Sequence, residues 1–255
     1  MDLIESNFSI AQRHPWELSR SSIVSGLIKR CVRSNRKKQI LDVGSGDAYV
    51  AHGFTKTLNA ECKCVDIGYT DDTIQKIKEI YNNPNLKLYG SLEDVKPKEE
   101  MDVVTLLDVI EHVPDDVAMM NEIISSGLVG KETLVLITVP AYQSLYSHHD
   151  DLLKHYRRYN MKMLRNSIHK SGMKMIDGGY FFMSLIPPRV LQVFKEKMRS
   201  KSEKNLKHLG NWDKSEWITK MIQMVLLTDY KVGALFRKLG IQIPGLSCFA
   251  ICKLK

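Results

Sequence analysis

The chain has 255 residues, 44% hydrophobic and 26% charged, enough apolar content to bury the core of one large domain or of one domain with an insertion. Its formal net charge of +8 indicates affinity for an anionic partner, but does not choose among nucleic acid, a membrane surface and a phosphorylated substrate. No signal-peptide pattern opens the sequence and no apolar run approaches the roughly 20 residues of a membrane helix, so we expect a cytoplasmic protein.

Short apolar runs alternate with helical patterns from residue 39 onward. Five runs are typical of buried strands, in chain order QILDVG, CKCVDI, LKLYG, MDVVTLLDV and TLVLITVP. Helices are predicted between them over YVAHGFTKTL, TDDTIQKIKEIY and PDDVAMMNEIISSGL. After these, a helix capped by Asn160 precedes a sixth strand, KMIDGGYFFMSL, and the last residues, LSCFAICKLK, form a seventh. The alternation predicts an α/β fold with parallel strands and helices on both faces of the sheet.

The pattern divides the chain into four parts. We predict an N-terminal helical cap at 1–37, a core at 38–182, a helical insertion at 183–245 and the final strand of the core at 246–255. The insertion opens with a basic helix that places four apolar residues on one face: Val190, Leu191, Phe194 and Met198. A lid, a homodimer contact and a peripheral membrane contact all fit such a helix. Nucleic acid is not an expected partner, because the basic residues are not interleaved with stacking aromatics.

A glycine-rich loop, LDVGSGDA at 41–48, follows the first predicted strand. In a parallel sheet this is the ligand-binding edge, and Gly44 and Gly46 allow a tight turn and a close approach by a ligand. A dinucleotide fingerprint would require a third glycine at position 49, where Tyr49 stands. The loop therefore argues against a nicotinamide cofactor.

The loop instead matches D-x-G-x-G-x-G, with Ala48 in the last position. With Asp66 in VDIGY, the segment YGSLEDV and the segment LLDVIEHVPDD, it resembles the S-adenosylmethionine-dependent methyltransferases of the Rossmann-like class over residues 38–182. The resemblance implies a Rossmann-like seven-stranded sheet with an antiparallel last strand. It also implies that Asp66 binds the ribose hydroxyls and that Leu92 and Glu93 flank the adenine. The full set of implied cofactor-binding residues is Asp42, Gly44, Gly46, Asp47, Asp66, Ile67, Leu92, Asp108 and His112.

The acceptor side is predicted in YSHHDDLLKHYRRYN, residues 146–160, which follow the fifth strand. Methylation of a hydroxyl needs a general base, and the candidates are His149 or His155, oriented by Asp150 or Asp151. If the stretch is helical, His148, Asp151 and His155 share one face that suits a metal, and a solvated lid helix is a further alternative. We predict no metal. The catalytic residues would be His149, His155 and Asp150.

Members resembling this chain pair an N-terminal HPWE segment with HD…HYRRY, and both segments are present here. This pairing implies that the N-terminal helices cover the pocket. Arg157, Arg158 and Tyr159 are candidates to hold an anionic acceptor such as a phosphate or carboxylate, and with Trp16 they are the predicted substrate-binding residues. The predicted function is O-methylation of a small-molecule or saccharide-type acceptor by a cytoplasmic enzyme that contacts the inner membrane peripherally. The alternatives are N-methylation of an amine, and a non-catalytic subunit that binds a partner or membrane through the basic insertion.

Overall fold

Seven strands form one sheet in a computed structural model that describes residues 13–32, 36–95, 100–198 and 212–255. The strands are β1 (Lys38–Val43), β2 (Ala60–Val65), β3 (Leu86–Tyr89), β4 (Val103–Leu107), β5 (Leu134–Pro140), β6 (Met173–Phe181) and β7 (Ser247–Leu254). Their order is β3-β2-β1-β4-β5-β7-β6, with β1 to β5 parallel and β7 antiparallel to both neighbours. The predicted Rossmann-like sheet and its antiparallel last strand are therefore confirmed.

Helices cover both faces of the sheet. They are α1 (Pro15–Cys31), α2 (Tyr49–Thr57), α3 (Asp71–Tyr81), α4 (Asp116–Ser125), α5 (His148–Leu152), α6 (Met161–Lys170), α7 (Ile186–Met198) and α8 (Glu216–Lys238). Asn160 caps α6 as predicted, because its Oδ1 accepts a hydrogen bond from the Met163 amide at 2.8 Å.

Two apolar cores lie on opposite faces of the sheet. One contains Phe54 of α2, Ile77 of α3 and Leu226 of α8, and the other contains Met120 of α4 and Leu164 of α6. All five residues of β4 are buried, as expected for a central parallel strand covered on both faces. This arrangement leaves the carboxyl ends of β1 and β4, where the strand order reverses, as the ligand-binding edge.

The stretch 146–160 differs from the single helix considered above. Only α5 is helical; it begins with a capping box between Ser147 and Asp150, and Lys154, with φ of +57°, lies in the turn that follows it. His155 therefore lies outside the helix, and the proposed shared face with His148 does not form. The residues after this turn form no regular element, except that Tyr159 pairs with Ala141, which directly follows β5.

The described part of the insertion is mainly helical, with α7 and α8 as its two helices. The predicted apolar face of α7 is exposed, from 48% at Val190 to 71% at Met198. Helix α8 packs on α1 and on β6. Among the described helices, none combines the length and the apolar character needed to cross a bilayer. The basic residues predicted between α7 and α8, at 199–211, lie outside the described part of the chain.

Candidate active site

The glycine-rich loop turns tightly between β1 and α2. Gly44 has φ of +69° and Gly46 has φ of +55°, a region that other residues enter only with strain. A Cβ on Gly44 would lie 2.6 Å from Cγ2 of Val109, so only glycine fits there. Ala48, in the place of the family's last glycine, also takes a left-handed conformation with φ of +61°. The loop backbone therefore keeps the glycine geometry despite the alanine.

Asp66 at the end of β2 is bound to this loop. Its Oδ2 accepts a hydrogen bond from the Gly46 amide at 2.8 Å, and its Oδ1 accepts one from the Gly68 amide at 2.9 Å. Each carboxylate oxygen has a second lone pair, so the group can still accept hydrogen bonds from two ligand hydroxyls. The neighbouring Ile67 is 98% exposed, and Leu92 is partly buried against one core. An exposed apolar side chain beside a carboxylate suits a nucleoside.

The other two aspartates near the loop are buried. Asp42 accepts a hydrogen bond from Thr105 Oγ1, and its burial, partly offset by that bond, raises its pKa to about 6. Asp47 is ion-paired with Arg13, which also contacts Glu17 at 2.6 Å. The start of α1 is thus fixed to the glycine loop by charges that the sequence pattern did not reveal.

Asp108 follows β4 in a left-handed conformation, with φ of +57°. Its Oδ1 accepts a hydrogen bond from Thr138 Oγ1 at 2.9 Å, and its Oδ2 is ion-paired with Arg20 of α1. Burial opposes ionisation, but the charge of Arg20 holds the pKa of Asp108 below its usual value. The guanidinium of Arg20 lies 4.9 Å from the centre of the Trp16 ring. Helix α1 thereby covers the end of β4, and Arg20 is a site residue that we did not predict.

Glu111, His112 and His155 meet beside Asp108, and we call them the Glu–His–His cluster. One potential ligand atom from each residue lies within 4.8 Å of the other two, and the imidazole centres are 4.6 Å apart. The backbone joins the two segments, because the Tyr156 amide donates to the Glu111 carbonyl at 2.8 Å. Burial, with the nearby charge of Asp108, raises the pKa of Glu111 well above its usual value.

Asp150 fixes the imidazole of His155 through a hydrogen bond. Its Oδ1 accepts hydrogen bonds from His155 Nδ1 and Arg158 Nε, both at 2.8 Å, and its Oδ2 accepts one from Arg189 at 2.6 Å. Burial alone would raise the pKa of Asp150, but the hydrogen bonds from His155 and Arg158 hold it well below its usual value. For His149, burial and the charge of Arg189 lower the pKa to about 4. Of the two predicted bases, His155 is the one that belongs to the Glu–His–His cluster.

The residues predicted to bind the acceptor are bound to protein groups. Arg157 donates to the Pro114 carbonyl at 2.5 Å. Arg158 is buried, and its guanidinium donates hydrogen bonds to Asp150 and to the Ala141 carbonyl. The hydroxyl of Tyr159, a fully buried residue, donates to Asp116 at 2.8 Å. Trp16 is partly buried on the first core. Their roles toward an acceptor stay predictions.

A family model described as a methyltransferase domain matches residues 17–181. The fold is similar to that of a Galdieria sulphuraria protein assigned as a sarcosine dimethylglycine methyltransferase (TM-score 0.52, 15% identity, 94% of this chain and 84% of that one). It is also similar to a Burkholderia thailandensis 1,6-didemethyltoxoflavin-N1-methyltransferase with bound S-adenosylhomocysteine (0.50, 14%, 64% and 72%). A third similar structure is the Haemonchus contortus phosphoethanolamine N-methyltransferase 2 with S-adenosyl-L-methionine (0.52, 13%, 94% and 52%). No curated protein matches the sequence.

Proposed function

This chain belongs to the methyltransferase-domain family, and on that premise we propose that it methylates a hydroxyl oxygen of a small-molecule or saccharide-type acceptor. Its cofactor is S-adenosylmethionine. When bound, this cofactor supplies a methyl group on a positively charged sulfur, and the acceptor oxygen takes the methyl group as the carbon–sulfur bond breaks. The glycine loop would bind the amino-acid portion, Asp66 the ribose hydroxyls, and Ile67 and Leu92 the adenine.

The observation that carries the proposal is the Glu–His–His cluster at the carboxyl end of β4. A neutral amine attacks a sulfonium methyl group without help, but a sugar-type hydroxyl must lose its proton during the transfer. His155 is suited to promote that loss because its Nδ1 is bound to the buried Asp150, which leaves Nε2 as the ring nitrogen that can accept a proton. A side chain fixed in this way is pre-organised for one geometry. These features favour oxygen over nitrogen as the methylated atom.

We expect His155→Gln to lower turnover about 100-fold or more, the usual contribution of a group that assists proton removal. Glutamine can still donate a hydrogen bond to Asp150, so the melting temperature and the affinity for S-adenosylmethionine should change little. The measurement is formation of S-adenosylhomocysteine with a small-molecule and saccharide extract as acceptor. His148→Gln is the matched control, because that side chain is 51% exposed. Full activity in His155→Gln with loss in His149→Gln would overturn the assignment.

A second proposal concerns the place where the enzyme binds its acceptor. One face of α8 carries an exposed apolar stripe: Trp217, Met221, Met224, Val225, Val232, Leu235, Phe236 and Leu239. At 100° per residue these positions fall within about 120° of the helix circumference, and Lys220, Lys231 and Lys238 lie together along one edge of the stripe. Such a surface fits an anionic bilayer, with the apolar side chains in the acyl boundary and the lysines at the headgroups. We therefore propose peripheral contact with a membrane that carries a lipid-linked acceptor.

The double variant Met221→Gln/Leu235→Gln should reduce binding to vesicles that contain phosphatidylglycerol by more than about 10-fold, because two apolar side chains lose their burial. Co-sedimentation measures this, and higher salt should weaken binding by the native chain. Ile176→Gln, which changes a 49% exposed residue on β6, is the control. The result that would overturn the membrane contact has two parts: the native chain does not bind these vesicles, and light scattering shows that it is a dimer while the double variant is a monomer. The stripe would then be the contact with a second copy of the chain.

A further inference from the structure

Glu111 is buried without the partners that a buried carboxylate requires. Its side chain is 0% exposed, and neither carboxylate oxygen has a hydrogen-bond partner among the described residues. Burying a carboxylate is costly unless it is paired, hydrogen-bonded or bound to a metal. Every other carboxylate with an unpartnered buried oxygen, in the described part of the chain, has just one such oxygen: Glu17 and Asp229.

We propose that Glu111, His112 and His155 bind one divalent transition-metal cation. A carboxylate with two imidazoles is a ligand set that suits zinc, manganese, iron and cobalt, and it leaves coordination positions open. Ligand atoms on one such cation lie at most about 4 Å apart. The present separations reach 4.8 Å, so binding requires a contraction of about 1 Å.

The surroundings of His155 fit a metal ligand. A ligating histidine usually donates its second ring N–H to a carboxylate, which fixes the ring and strengthens the donor nitrogen. Asp150 is placed for this at 2.8 Å from Nδ1, and it is itself held by Arg158 and Arg189. His112 approaches from the other segment, fixed by the short helical turn Ile110–His112 that contains Glu111.

The rival partner for Glu111 is Arg20. Its Nε and Nη2 atoms are buried and have no hydrogen bond to any residue that the structure describes, while Nη1 is ion-paired with Asp108. A small movement that brought Arg20 onto Glu111 would satisfy both groups and would leave no room for a cation. The two outcomes differ in an observable way, because only a metal site adds a bound ion.

The inference rests on the proposed function and changes the part that His155 takes in it: His155 would hold the cation that assists proton loss, and would not take the proton itself. A hydroxyl bound to a divalent cation loses its proton near neutral pH far more readily than a free one. Open coordination positions would favour an acceptor with two neighbouring oxygens, such as a vicinal diol, since both can reach the same ion. The substrate class is thereby narrowed from any hydroxyl compound to a polyol or saccharide with adjacent oxygens.

The test uses the full chain after treatment with a chelator, titrated separately with Mn²⁺, Zn²⁺ and Co²⁺ in the absence of cofactor and acceptor. Equilibrium dialysis with metal analysis should find one tight site, and Co²⁺ should give a visible absorption band. Glu111→Gln should weaken binding at least about 100-fold. It should fold about as well as the native chain, because glutamine has nearly the shape of the glutamate that it replaces and carries no charge that burial would penalise. His112→Gln should lose the same site.

His148→Gln is the control, because His148 and Asp151 form an exposed pair at 3.8 Å that can bind a cation adventitiously. Loss of the ion in this variant but not in Glu111→Gln would overturn the proposal, as would no binding by the native chain. S-adenosylmethionine affinity and methyl transfer are measured on the same samples. Cofactor binding and O-methylation that survive with no metal bound would refute the metal site and leave the methyltransferase intact. Metal binding without O-methylation would support the metal site and refute the proposed O-methylation.

Discussion

Asp150→Ala is expected to lower the free energy of unfolding by about 3–5 kcal/mol, because removing one member of a buried ion pair strands its partners. Asp150 is fully buried and accepts hydrogen bonds from Ser147, His155, Arg158 and Arg189. Its loss leaves two largely buried guanidinium groups without their carboxylate. It also removes the Asp150–Arg189 contact, one of those that join the 147–158 segment to α7.

Chemical denaturation measures this effect. The matched control is the next residue, since Asp151 has a side chain that is 61% exposed, and Asp151→Ala should cost less than about 0.5 kcal/mol. Equal effects of the two substitutions would mean that the Asp150 network does not stabilise the fold. The loss of unfolding free energy in Asp150→Asn should lie between those of the two alanine variants, because an amide keeps the shape of the carboxylate but accepts fewer hydrogen bonds.

Asp66→Ala is expected to lower the affinity for S-adenosylmethionine at least about 100-fold. Two effects combine in this variant. The ribose hydroxyls lose a charged acceptor, which contributes about 1.5–3 kcal/mol per hydrogen bond to an ionised group. The Gly46 amide also loses the bond at 2.8 Å that orders the glycine loop.

Isothermal titration calorimetry with the cofactor and with S-adenosylhomocysteine checks this prediction. Asp72→Ala is the control, because Asp72 is an exposed carboxylate in the first turn of α3. Both variants should keep the melting temperature of the native chain to within a few degrees. An unchanged affinity in Asp66→Ala would show that the ribose is bound elsewhere.

Much of the sheet could be predicted from the sequence because its central strands are buried on both faces. Such strands appear as continuous apolar runs, and the loops between them carry glycine and aspartate at positions set by backbone conformation. Gly44 and Asp66 were therefore predictable as site residues. The structure gives their geometry, in which Gly44 faces Val109 and Asp66 is bound to Gly46.

The acceptor side was less predictable because its contacts join distant parts of the chain. Arg20 is ion-paired with Asp108, 88 positions away, and no local pattern on α1 indicates that partner. No local pattern joins His112 to His155 either, and a helix over 146–160, one of the alternatives for that stretch, would place His155 on one face with His148 instead. The chain leaves the helix near Lys154, whose φ is +57°, and only this turn brings His155 to Glu111.

The most direct test of the account is to identify the atom that receives the methyl group. The native chain is supplied with S-adenosylmethionine labelled with carbon-13 in its methyl group and with an extract rich in saccharides and other polyols, and the product is examined by carbon–proton correlation spectroscopy. We predict a new O-methyl signal that disappears in Asp66→Ala and is strongly reduced in His155→Gln. An N-methyl signal, or an O-methyl signal of full strength in His155→Gln, would contradict the proposed function.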